Sequence, residues 1–302
     1  MDLSIKNTTK EQRLDIVKNA LAISITGSDV PDEKVLRIAK EYVDGQTEIS
    51  DVQAKIINMY KKRRWKLMHD PYIINENGVL RNKLGITDYH ELNRAERDIT
   101  FAKFLDIDTS YKQQFNAQYF KSIHKHIFED IFDWAGEFRT VPIVKEEVVL
   151  PGLSLDYADA KDIDKKLKAC LKTMNDTNWD AMPLDKKVAE FTNQLTSLWS
   201  IHPFRDGNTR TTITFARQFS KEHGFPMDLG ILLDNLSRKF DENGKITQYS
   251  IRDKFVLAAI PKEYYPEPEH LNALLKKAIV SGISKNITEL QSQLDSREDS
   301  ER

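Results

Sequence analysis

Apolar residues recur three and four positions apart along most of this 302-residue chain, a spacing that commits it to packed helices. Leu14, Val17, Ala20 and Leu21 form a first stripe that stops near Gly27. Val35, Ile38, Ala39 and Tyr42 form a second, opened by Pro31 and closed by Gly45. Ser50-Asp51-Val52-Gln53 reads as a capping box for a third helix, with Val52, Ile56 and Met59 as its apolar face. Helices this short are marginal alone and must pack on each other or on the rest. The basic run 61–66 that follows reads as a solvated helix end rather than a nucleic-acid patch. After turn signals at Asp70-Pro71, Asn77-Gly78 and Gly85, helical spacing resumes over residues 89–105 and 113–132. It returns over 157–174, 184–199, 208–222, 229–238, 246–259 and 269–280. The charged stretch from Ser284 onward is expected to fray.

One region breaks this pattern. Thr140, Val141, Ile143 and Val144, then Val148, Val149 and Leu150, have β character, but Pro142 interrupts them. An edge strand or a lone hairpin is the expected outcome. His124 and His126 are two apart on a helix, so they face different sides and make a poor metal pair.

Residues 202–210, His-Pro-Phe-Arg-Asp-Gly-Asn-Thr-Arg, bring the most chemistry into the least space. They sit between two helical stretches, so they read as a tight loop. Gly207 permits a left-handed backbone, and Asn208 suits the cap of the helix that follows. Unpaired amides at a helix start, together with the dipole, favour an anion. Arg210 adds a fixed cation, Asp206 a hard oxygen ligand for Mg²⁺, and His202 a general base. The set suits phosphate chemistry. A lone histidine in such a loop is more often structural; the argument here is that several demanding positions fall in register.

Charge is nearly balanced, 45 Lys+Arg against 47 Asp+Glu, which excludes a global field for nucleic acid. The single cysteine, Cys170, cannot form an internal disulfide and fits a reducing compartment. No signal-peptide core and no membrane span is evident, so a cytoplasmic protein is expected, with secretion as an effector left open.

Residues 202–210 resemble the signature of the Fic family, His-x-Phe-x-Asp/Glu-Gly-Asn-Gly-Arg-x-x-Arg. Residues 127–140, Ile-Phe-Glu-Asp-Ile-Phe-Asp-Trp-Ala-Gly-Glu-Phe-Arg-Thr, are similar to the family's second recognisable stretch. The resemblance implies an all-α, Fic-type helical bundle over 67–282 with a small β-hairpin flap, a three-helix module over 1–66 and a tail over 283–302. It implies a protein adenylyltransferase that moves AMP from ATP to a Tyr, Thr or Ser hydroxyl of a target protein. His202 would deprotonate that hydroxyl, and Asp206 would hold Mg²⁺. The nucleotide would meet Phe204, Arg205, Asp206, Gly207, Asn208, Thr209 and Arg210, with Phe204 anchoring the loop in the core. The target would pair with the flap edge near Thr140, Val141 and Ile143.

Two positions depart from the pattern. Thr209 replaces a glycine, a mild change, whereas Ile213 replaces the last arginine and removes a cation from the triphosphate side. A phosphoryl or other nucleotidyl transferase, or a catalytically impaired toxin–antitoxin binding module, therefore stand as alternatives. Arg217, one turn beyond Ile213, is a candidate replacement for the lost charge.

Residues 9–62 also resemble the VbhA-like antitoxin modules that accompany Fic toxins, best over Ile38-Ala39-Lys40-Glu41-Tyr42-Val43-Asp44-Gly45. Such modules insert a glutamate that pairs with the motif's last arginine. Aligned on Gly27, Thr26 stands for that glutamate and Ala22 for the leading Ser/Thr. Loss of both charges together is coherent, because either one buried alone would be costly.

Overall fold

The computed structural model describes residues 4–14, 17, 33–52, 55, 70–74, 78–104, 114–145, 147–150, 154–233 and 237–300. The chain divides into two compact units, Met1–Leu80 and Arg81–Arg302.

In the first unit, helix α1 spans Glu33–Val43. Ile38, Tyr42 and Val52 form a small core, with Ile5, Val17 and Ile49 packed against it. Gly45 ends α1 as its sequence position suggests: its φ is +73°, and Gln46 N–H donates to the Glu41 carbonyl at 2.8 Å. Arg13 is buried and donates to the carbonyls of Val43, Ile5 and Thr8, which ties the N-terminal chain to the end of α1. The third helix starts at Ile49, so Ser50 lies inside its first turn instead of capping it. Asp51 and Val52 N–H both donate to the Glu48 carbonyl, which places the helix entry two residues earlier than Ser50. Ala20, Leu21, Ala22, Thr26, Gly27, Gln53, Ile56, Met59 and the run 61–66 lie outside the described residues.

The second unit is built of α2 (Tyr89–Phe104), α3 (Ala117–Phe128), α4 (Ile163–Asp176), α5 (Leu184–Ile201) and α6 (Asn208–Glu222). A short α7 (Gly230–Leu233), strands β1 (Lys239–Phe240) and β2 (Ile246–Gln248), α8 (Ile251–Ala259) and α9 (Glu269–Ser300) complete it. Helix α5 is the axis, touching α4, α6, α8 and α9. Its Phe191, Leu195, Leu198 and Trp199 have no exposed surface. Burial of each such side chain is worth about 1.5–3 kcal/mol. Against α6, the core is aromatic: Phe191 and Phe219 stack at 6.2 Å, and Phe215 meets Phe120 of α3 edge-on at 5.5 Å. Among the described residues, no helix is long and apolar enough to cross a membrane.

Several expected boundaries are corrected. Of the helix expected over 229–238, the described residues keep α7, and the one expected over 246–259 is β2 followed by α8. The cause is a turn: the Asp241 carboxylate accepts from Asn243 and Lys245 N–H, and Gly244 takes φ +72°. Those bonds fold Lys239 back onto Gln248 as an antiparallel hairpin. A genuine capping box, Ser250 with Asp253, then opens α8. The small hairpin is therefore at 239–248, while residues 140–145 and 147–150 carry no strand. At the other end, α9 runs through Ser300, past the Ser284 where fraying was expected.

Candidate functional site

Helix α5 ends where the backbone of His202 turns left-handed, φ 49° and ψ 59°. A non-glycine residue held there is strained, and such strain concentrates at functional sites. The turn closes through His202 N–H to the Trp199 carbonyl at 3.1 Å, and the indole N–H of Trp199 donates to Thr209 Oγ1 at 3.0 Å. Thr209 thus braces the loop in place of the family's glycine.

The loop's interior is fixed by Asn208. Its Oδ1 accepts from Phe204 N–H at 2.9 Å, and its Nδ2 donates to the Phe204 carbonyl at 2.8 Å. Asn208 is the first residue of α6 and makes no side-chain cap bond, which corrects the expected N-cap role; Gly207 occupies that place. Gly207 has φ +77°, and a Cβ there would lie 2.3 Å from the Phe128 ring. Glycine is required twice over.

Phe204 is fully buried between α3 residues, stacked on Phe120 at 5.8 Å and on His124 at 3.8 Å. His124 is more than packing. Gly136 N–H donates to its Nδ1 at 2.8 Å, so its Nε2 carries the proton and donates to the Asp206 carbonyl at 3.1 Å. Burial lowers its pKa from 6.5 to about 3, which keeps it neutral. Arg139 works similarly from the second signature stretch. Buried, it donates from Nε to the His202 carbonyl at 2.9 Å, and its other nitrogens serve the carbonyls of Val141 and Ala158. One of these bonds satisfies the Val141 carbonyl from a side chain. Among the described residues, Thr140, Val141 and Ile143 carry no strand, so the strand edge expected there is not seen.

The chemistry-bearing groups are brought together. His202 has no exposed surface, and its Nε2 has no hydrogen-bond partner among the described residues. Its Nδ1 faces the Trp199 carbonyl at 3.3 Å, which leaves the lone pair of the neutral ring on Nε2. Burial, then the charges of Lys145 and Arg252, hold this imidazole well below its ordinary pKa. Burial also works to raise the Asp206 carboxyl, although its side chain keeps 38% exposure and solvent screens part of that effect. Lys145, Arg210, the Gly207 amide and Arg205 outweigh it and hold the carboxyl below its ordinary value. Lys145 Nζ lies 3.6 Å from Asp206 Oδ1, and Gly207 N–H donates to the same oxygen at 2.7 Å.

Arg210 is already engaged: it pairs with Glu96 of α2, reaches Thr100 Oγ1 at 3.4 Å and lies 4.7 Å over the Phe128 ring. Burial and the nearby Asp206 raise the Glu96 carboxyl, against the pull of Arg210. Ile213 and Arg217 are both half-buried on α6. Glu96, His124, Arg139, Lys145, Glu147, Tyr157 and Arg252 are the site neighbours that sequence reasoning missed. Only His124 left a usable signal: a polar residue in the Phe120–Phe128 row, four residues from each.

Residues 114–220 match the Fic/DOC family model. The chain carries a Fic/DOC family domain. The Fic domain is similar to the protein adenylyltransferase VbhT of Bartonella schoenbuchensis, 28% identical over 216 residues, 71% of this chain and 40% of that protein. The probable protein adenylyltransferase y4lH of Sinorhizobium fredii is 26% identical over 187 residues, 59% of this chain and 91% of that protein. The chain thus spans less than half the length of VbhT, with 40% of it covered. Among solved structures, the Fic domain of Bep8 from Bartonella sp. 1-1C superposes with a TM-score of 0.55 at 20% identity, covering 69% of this chain and 94% of that one. BepC of Bartonella tribocorum, solved with bound AMPPNP, gives 0.54 at 21% identity, covering 68% and 95%. These likenesses place the helical arrangement among Fic folds.

Proposed function

We propose that this Fic domain is a protein adenylyltransferase, transferring AMP from ATP to a Tyr, Thr or Ser hydroxyl of a target protein. One observation carries the reading: a neutral imidazole with an unpartnered Nε2 stands four residues before a half-exposed carboxylate at the start of α6. The target oxygen bonds to the α-phosphorus, the bond to pyrophosphate breaks, and His202 Nε2 takes the hydroxyl proton. The α6 amides face the developing negative charge, and positioning supplies much of the rate. Arg210 grips a phosphate once it leaves Glu96. Asp206 fits Mg²⁺ as a hard oxygen donor, since Gly207 and Lys145 both contact Oδ1 and its side chain is partly open to solvent. When bound, the ion would neutralise phosphate charge. The relatives named as adenylyltransferases support the same reading.

The test is transfer of label from α-labelled ATP, self-modification included, by the wild-type chain and by His202→Ala. Transfer that survives the substitution removes the base role from His202. A second reading, transfer of a phosphoryl or another nucleotidyl group, is favoured by Ile213, which leaves one cation fewer on α6. The mass added to the acceptor separates the two. We read the N-terminal unit as an antitoxin-like module that lacks the inhibitory glutamate, since Thr26 stands in its place.

A further inference from the structure

The base proposed above is covered. Tyr157 stacks on the His202 ring at 4.1 Å and 28° between planes, while Trp199 closes a second side edge-on at 5.0 Å. Tyr157 is itself partly exposed, whereas His202 has no exposed surface. A proton-accepting nitrogen must come within hydrogen-bond reach of the target hydroxyl, about 2.6–3.2 Å. With Nε2 sealed, some side chain has to yield first. Trp199 is fully buried in the core and tied to Thr209, so it is a poor candidate. Tyr157 is held differently: its hydroxyl donates to Glu147 Oε1 at 2.7 Å. Glu147 is buried, and Arg252 of α8 takes both its oxygens, with Nε to Oε2 at 3.2 Å and a second nitrogen on Oε1. The same guanidinium lies 3.3 Å from the Tyr157 oxygen.

We propose that Tyr157 is a side-chain gate over His202, latched by Glu147, which Arg252 holds in place. Closed, the ring withholds Nε2 and keeps the imidazole dry; open, it admits the acceptor hydroxyl. The charged groups around the imidazole are Lys145 and Glu147 from the chain after Arg139, Asp206 from the loop and Arg252 from α8. The tyrosine stays a donor, because burial and the Glu147 charge push its pKa upward. The latch is a hydrogen bond to a charged group, so releasing it shifts the gate by about tenfold in population.

The inference rests on the adenylyltransferase reading for its purpose, but its test does not. Diethyl pyrocarbonate is applied to the full chain, and acylation of His202 is followed by peptide mass mapping in wild type, Tyr157→Phe, Glu147→Gln and Tyr157→Ala. Wild-type His202 should react slowly. Tyr157→Phe, which cuts the latch but keeps the packing, should raise its rate about tenfold; Glu147→Gln, which keeps an acceptor but removes its charge, should raise it less, and Tyr157→Ala should raise it most. Equal His202 rates in wild type, Tyr157→Phe and Glu147→Gln overturn the gate, whether or not Tyr157→Ala folds. Label transfer from ATP is measured in parallel, and Glu147→Gln should raise the turnover rate with the KM for ATP unchanged. A lower turnover with unaltered His202 reactivity would make Tyr157 a positioning residue and also overturn the gate. No transfer by any variant, with reactivity rising as expected, would sink the adenylyltransferase reading and leave the gate standing.

Discussion

The loop 202–210 and the chain around Lys145 and Glu147 serve the same site, but they are held by opposite means. The loop is fixed by contacts that are neutral in charge: Asn208 on Phe204 and Thr209 on Trp199, both within ten residues, and Gly207 against the Phe128 ring of α3. The other region is fixed by ion pairs to distant elements, Lys145 to Asp206 and Glu147 to Arg252, 105 residues away. Neutral buried bonds neither screen nor exchange readily, whereas partly exposed ion pairs do both. The difference suggests a rigid cradle beside an adjustable cover.

The comparison breaks most sharply if the cradle tolerates change. Gly207→Ala places a methyl within the Phe128 ring and a Cβ at positive φ, so a loss of about 3 kcal/mol or more is expected in urea unfolding. Asn208→Ala leaves buried backbone groups of Phe204 without partners and should cost about 2–3 kcal/mol. A pH series sharpens the same contrast. His124 has its pKa lowered from 6.5 to about 3, so the unfolded chain takes up the proton first. Stability is therefore fullest above 6.5, drains as the pH falls, and flattens below about 3. In acid unfolding, His124→Gln should flatten part of that slope. Lys145→Met should change stability by less than about 1 kcal/mol, because the pair it removes is partly exposed. An effect as large as that of Asn208→Ala would erase the distinction between cradle and cover.

Much of the cradle was legible in the sequence because most of its determinants lie in the loop and the end of α5, with Phe128 and His124 of α3 the exceptions. Apolar spacing placed α3 to α6, and Gly207 declared its left-handed turn. Asn208 was misjudged as a cap because its side chain turns back to Phe204 instead of forward along α6. The hairpin was misplaced because β-branched residues near 141–149 outweighed the shorter Asp241–Gly244 turn signal, although the turn decides where strands pair. The cover was illegible for a stronger reason. Nothing near Glu147 in sequence points to Arg252, and nothing near Arg210 points to Glu96; those pairings exist only once α8 and α2 have docked. Arg139 lay inside a recognised stretch, yet its three carbonyl partners come from three separate segments.

The single hydrogen that separates Gly207 from the Phe128 ring has a practical corollary for anyone reshaping this domain. A library that randomises the loop spends most of its members on sequences that cannot assemble it, unless that codon is left untouched. A smaller aromatic or aliphatic side chain at 128 is the partner change that would reopen the choice, so the two positions belong to one unit of inheritance.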